Sequence, residues 1–121
     1  MTDDDQRREP RYTCRLPALL RRGKRSLDIR TENVSLSGLF LRMTAPPAVR
    51  ELVEIEIQLP DDSNVRLHAM VVHAIRRGRD AEGIPGMGVE LRALSADARA
   101  AWERFIRSVQ ARAPEGQGRK R

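Results

Sequence analysis

Residues 52 to 60, LVEIEIQLP, alternate without interruption: Val53, Ile55, Ile57 and Leu59 fall on one side of an extended chain, and Glu54, Glu56 and Gln58 on the other. A period of two marks a strand with one face in a core and one in water. A helix would scatter the four apolar residues around its circumference. The segment must therefore pair into a sheet whose outer face is wet, and the rest of the chain has to supply its neighbours.

Those neighbours are readable. YTCRLPALLRR and RSLDIRTENV flank a turn signal at Gly23, and GLFLRM follows as a third strand. After LVEIEIQLP the cluster DDSN (61–64) is a turn. VRLHAMVVHAIRR then continues as one long strand whose apolar phase slips near Met70 to Val72, which requires a bulge or a strong bend. RGRDAEGIPG is a loop, and MGVELR a last strand. Six short strands with turn residues between them predict a closed antiparallel barrel, because closure leaves no exposed edge. From Ser95 the period changes: Ala98, Ala101, Trp102, Phe105, Ile106 and Val109 follow at spacings of three and four. That pattern predicts a helix with Ser95 as N-cap and Pro114 beyond its end, covering the barrel through Trp102 and Phe105.

At 121 residues the chain fits one small domain. We expect residues 1–5 to be a flexible N-terminus, 6–11 an arm, 12–93 the barrel, 95–112 the helix and 113–121 a flexible basic tail. The N-terminus MTDDDQRREPR is unlike a signal peptide, and no apolar run is long enough to span a membrane, so the expected location is the cytoplasm without membrane insertion.

Catalytic sets are missing from the sequence, and an enzyme is not expected. One cysteine, Cys14, with two histidines makes neither an internal disulfide nor a zinc site, so no metal is expected, and Cys14 reads as a small apolar packing residue. His68 and His73 lie five apart on a strand, which places them on opposite faces. No phosphate loop or paired-carboxylate motif is present. The net charge is +6, and of 23 basic residues only Lys24 and Lys120 are lysine, which leaves 21 arginines. Arginine suits planar, bidentate partners such as phosphate and guanine edges, although a GC-rich genome writes the same bias.

Two polar features stand out against this background. In RREPR, Pro10 pushes Glu9 away from helical angles, so Arg7 and Arg11 fall on one side of an extended arm with about 13 Å between their backbones. Such a pair can act as a clamp; a solvated basic arm is the competing reading. The second feature is Asn33-Val34-Ser35-Leu36-Ser37-Gly38, of the form Asp/Asn-x-Ser-x-x-Gly. If extended, it presents Asn33 and Ser35 on one face as a polar shelf and sends Val34 and Leu36 to the core, with Gly38 permitting close approach of backbone or ligand. A plain turn between strands uses the same residue types.

The pairing of Arg7-x-x-x-Arg11 with Asn33-x-Ser35-x-x-Gly38, with 21 residues between the two motifs, resembles the two-part signature of PilZ domains, bacterial receptors for cyclic di-GMP. The similarity runs over roughly residues 6 to 110. RREPRYTCRLPALL resembles the family's approach to its first strand, VVHAIRR its long strand, and GMGVELRALSADARAAWERFI its closing strand and helix. The resemblance implies a mainly β fold, a six-stranded antiparallel barrel of PilZ type with a C-terminal helix packed on it. It also implies a cyclic di-GMP site made by Arg7, Arg8, Arg11, Asn33, Ser35 and Gly38, with no further cofactor. Arg7 and Arg11 would meet guanine O6 and N7 or phosphate, with Arg8 assisting. Asn33 would accept from the donor edge of guanine, Ser35 would bond to phosphate or guanine, and Gly38 would keep the shelf open. Ser37 stands where the family often has a second glycine. Gln6, uncharged, favours one bound ligand over a stacked pair.

The implied function is a receptor or adaptor that changes its surface on binding cyclic di-GMP and so regulates an unidentified protein partner. One alternative is a PilZ-fold interaction adaptor that binds no nucleotide. Another is a general nucleic-acid-binding small barrel, disfavoured because Tyr12, Phe40, Trp102 and Phe105 are the only aromatic residues available for stacking, so no specific nucleic acid is expected.

Overall fold

The computed structural model describes residues 9–76 and 83–112. In chain order the elements are β1 (Tyr12–Thr13), β2 (Pro17–Arg22), β3 (Arg25–Val34), β4 (Gly38–Arg42), β5 (Leu52–Gln58), β6 (Asn64–Ile75), β7 (Gly86–Leu91) and one helix, α1 (Ala96–Arg112). Every pairing is antiparallel. The order β3-β2-β5-β6-β7-β4 closes on itself because β4 also pairs with β3, and short β1 adds to β3 outside this ring. The result is the expected six-stranded barrel with one extra strand.

The expected alternation is obeyed in β5: Val53, Ile55 and Ile57 are buried and Glu54 and Glu56 lie outside. Ile55 and Ile57 join Leu20, Leu39, Leu41, Leu67, Val71 and Met87 as fully enclosed side chains. Each aliphatic side chain of this size stabilises the fold by about 1.5–3 kcal/mol through removal from water. Outside, Arg21 bridges Glu56 (3.1 Å), and Arg66 meets Glu54 (3.1 Å), giving a wet charged face over the same strands.

Where the sequence reads as one first strand, the chain forms two, and a threonine is the reason. Thr31 on β3 is fully buried; its Oγ1 donates to the Cys14 carbonyl (2.6 Å) and accepts from the Leu16 amide (2.8 Å). The hydroxyl thus replaces ladder bonds that the kinked segment between β1 and β2 gives up. Cys14 packs half-buried against the core, as expected of a small apolar residue.

The long strand carries the expected bulge, between Val71 and His73 in its pairing with β7. One consequence corrects the sequence reading. The extra residue, Val72, restores the outward phase, so His68 and His73 are both exposed on the outer surface instead of on opposite faces. No helix among the described residues is long and apolar enough to cross a membrane.

Ser95 caps α1: its Oγ accepts from the Ala98 amide (3.1 Å) and its carbonyl from the Arg99 amide (2.9 Å). The helix buries Trp102, Phe105 and Ile106 against the core, the two aromatic rings tilted at 43° with centroids 5.5 Å apart.

The seam between β4 and β7 needs a bare backbone at Gly86. A Cβ there would run into the Leu41 carbonyl oxygen and stand 2.9 Å from the Phe40 ring, whereas at Gly88 the nearest atom, His73 Cβ, is 3.4 Å away. Gly86→Ala should lower the unfolding free energy by about 2–3 kcal/mol, with Gly88→Ala costing much less; urea denaturation of the two variants checks this.

Candidate ligand-binding site

Ser35 to Gly38, where β3 passes into β4, form a tight turn that holds itself together. The Ser35 amide donates to the Gly38 carbonyl (2.8 Å), the Ser35 hydroxyl donates to the same oxygen (3.0 Å), and the Gly38 amide donates back to Ser35 Oγ (3.1 Å). Three neighbours fix it in place. Trp102 Nε1 donates to the Ser35 carbonyl (3.1 Å), the Leu91 amide donates to the Ser37 carbonyl (2.8 Å), and Gly38 lies so near β7 that a Cβ would stand 2.5 Å from the Val89 carbonyl oxygen.

This turn corrects the shelf read from the sequence. The extended chain ends at Val34, so the in-out alternation does not run through to Leu36: Val34 is fully buried as expected, but Leu36 is 49% exposed. Ser35 is buried instead of facing out beside Asn33, and its hydroxyl proton is committed to Gly38. What Ser35 and Gly38 offer a ligand is the shape of the turn.

Asn33 reaches the surface by a different device. The β3–β4 register slips between Thr31 and Asn33, with Glu32 as the extra residue. Without that bulge the parity that buries Thr31 would bury Asn33 as well. With it, Asn33 pairs with Phe40 on the outside and Val34 with Leu39 inside. Glu32 itself is bridged by Arg15 (3.0 Å), with Arg42 3.9 Å from its other oxygen.

The arm lies across this corner. Arg11 Nη1 donates to Asn33 Oδ1 (2.9 Å), which joins the two halves of the sequence signature. Asn33 is neutral, so this bond leaves the positive charge of the guanidinium uncancelled. Arg7 and Arg8 lie outside the described residues. Two residues before Arg11, the Glu9 carboxylate accepts from the Ser37 amide (2.6 Å) and the Ser37 hydroxyl (2.8 Å). Burial pushes the Cys14 thiol up from its ordinary pKa, which keeps it protonated. Among the described residues no group of three or more metal-ligating side chains comes together.

The sequence reading singled out Arg11, Asn33, Ser35 and Gly38, which the structure brings to one corner, and did not single out the Glu9–Ser37 contact or the second duty of Trp102. Glu9 had one visible signal: in an extended arm it falls on the same side as Arg11. Trp102 had none, since a buried indole needs an acceptor but its sequence does not say which. Trp102→Phe keeps an aromatic ring but leaves the Ser35 carbonyl without its donor. It should cost about 1–3 kcal/mol of stability, measurable as a shift of the urea midpoint.

Comparison with known proteins agrees with this fold. The PilZ domain model matches residues 5–108. No curated protein sequence matches the chain. Among solved structures, the PilZ domain with c-di-GMP of YcgR from Escherichia coli superposes with a TM-score of 0.66 at 16% identity, covering 86% of this chain and 91% of that one. The Bacillus subtilis inhibitor of motility MotI/DgrA gives a TM-score of 0.69 at 15% identity over 87% of this chain. This chain covers only 51% of that protein's length. The PilZ domain of CeSA from a cellulose-synthesizing bacterium gives 0.59 at 16% identity, over 83% of this chain and 97% of that one. A barrel closed by the β3–β4 pair, a C-terminal helix tied to the turn, and a family match over most of the sequence lead to one conclusion: the chain belongs to the PilZ domain family.

Proposed function

We propose that the chain is a cyclic di-GMP receptor domain, spanning residues 6–112 and acting in the cytoplasm, that binds the nucleotide without transforming it and signals to a protein partner through its altered surface. The observation that carries this reading is the Arg11–Asn33 hydrogen bond, which gathers two motif halves distant in sequence into one corner of the barrel. The c-di-GMP complex of the YcgR PilZ domain, a structure of the same fold, adds support from outside the chain.

In this reading Arg11, with Arg7 and Arg8, supplies the guanidinium groups that meet guanine O6 and N7, stack on the base and neutralise phosphate. Asn33 keeps its amide N–H groups and a second carbonyl lone pair for the guanine edge while holding Arg11. Ser35 and Gly38 act through the turn they fix, which follows directly on Asn33 and borders it. Nothing in this set is suited to attack a phosphodiester, and the proposed role is recognition alone.

Isothermal titration with cyclic di-GMP tests the proposal. Saturable binding in the low micromolar range or tighter is expected, and Arg11→Ala should weaken it at least about tenfold, as loss of a charged hydrogen bond at a phosphate or base edge implies. No saturable binding by the wild-type chain sinks the reading in favour of a nucleotide-free adaptor. Steep salt dependence with no preference for the nucleotide over other nucleic acid would favour a general binder.

A further inference from the structure

The Ser37 amide and hydroxyl both donate to one carboxylate, that of Glu9, at 2.6 and 2.8 Å. Ser37 is a free position of the signature, and its carbonyl is held from behind by Leu91, so its N–H and O–H converge on a single acceptor in front of the turn. An N–H and an O–H aimed at two oxygens of one anion form a small anion site, with Arg11 two residues further along the chain. The chain's own acidic side chain fills it.

We propose that Glu9 is a built-in occupant of a phosphate subsite at Ser37, and that a phosphate of the ligand displaces it. This rests on the receptor reading above. Four points favour exchange over coexistence. A carboxylate and a phosphodiester are both acceptor-only groups and compete for the same two protons. Two negative charges a few ångströms apart repel, so Glu9 opposes any phosphate that settles between Arg11 and the turn. Arg11 has its own tether to Asn33, so the arm stays attached when Glu9 lets go. The contact with Ser37 is exposed, which makes its release inexpensive. Binding then includes an opening step, and the apparent affinity is reduced by the fraction of molecules in which Glu9 is already off. Displacement also releases Glu9 from the turn, a change of surface produced directly by ligand arrival.

The test uses the full chain as wild type, Glu9→Ala, and Glu9→Ala with Ser37→Gly, the last keeping the backbone amide but losing the hydroxyl. Cyclic di-GMP is titrated calorimetrically, and inorganic phosphate is titrated while the backbone amide resonance of position 37 is followed by NMR. Glu9→Ala should bind cyclic di-GMP roughly three- to tenfold more tightly than wild type, and the double variant should lose part of that gain. Phosphate should move the position-37 amide in both variants at concentrations that leave the wild-type resonance in place. Unchanged or weaker nucleotide binding by Glu9→Ala overturns the proposal, and so does a Ser37 amide in that variant that phosphate does not move. If phosphate moves that amide while no protein binds cyclic di-GMP, the anion site masked by Glu9 is upheld and the receptor reading is the one that fails.

Discussion

The hydrogen bonds exchanged by Ser35 and Gly38 fold the chain back so that β4 returns along β3, and that pairing is the one that closes the barrel. A sheet with this strand order and no β3–β4 pair would end in two unpaired edges, each a template for association with another chain. The neighbouring β3 bulge sets where Asn33 stands, and the turn sets where Ser37 points and what Trp102 can reach. Its chemistry is therefore constrained from the inside before any ligand is considered: the serine must hold the glycine, the glycine must clear Val89, and the carbonyl must receive the indole.

Two bulges aim the outer surface, and they differ in how visible they are in the sequence. The one in β6 interrupts an apolar run, Ala69 to Val72, so the slip of phase shows in the letters. The one in β3 falls among Thr31, Glu32 and Asn33, all polar, where no hydrophobic phase exists to slip. Its inward member is itself a hydroxyl, which pattern reading assigns to the outside. The break between β1 and β2 is hidden for the same cause, since the bonds that permit it come from that buried threonine. Leu36 misleads in the opposite way: an apolar residue in a turn imitates a continuing strand.

The candidate site divides along the same line. Arg11 and Asn33 are residue types whose chemistry matches a nucleotide, and their spacing resembles a known pair, so both are legible. Glu9 with Ser37 and Trp102 with Ser35 are isolated residue pairs across 28 and 67 residues. Neither leaves a periodic trace, because a hydrogen bond between distant elements depends on how those elements pack.

The arm and the barrel are held by forces of very different size, and this decides which of them a ligand can move. The barrel is held by a continuous set of enclosed aliphatic side chains, each contributing about 1.5–3 kcal/mol, and deforming it disturbs many at once. Over its described residues, 9–11, the arm ahead of Tyr12 is held by exposed side-chain bonds from Glu9 and Arg11, each of the order of 1 kcal/mol. Tyr12 itself is buried and paired with Val34, which marks the point where the movable part ends. Just beyond the turn, Pro10, Tyr12 and Leu36 border a groove of about 360 Å³ whose opposite wall is Ile106 and Gln110 of α1. A phosphate exchanged for Glu9 would alter one wall of that groove and leave the other, fixed through Trp102 and Ile106, where it stands. The surface that changes would then be the junction of arm and helix, and the barrel would serve as the rigid frame against which the change is read.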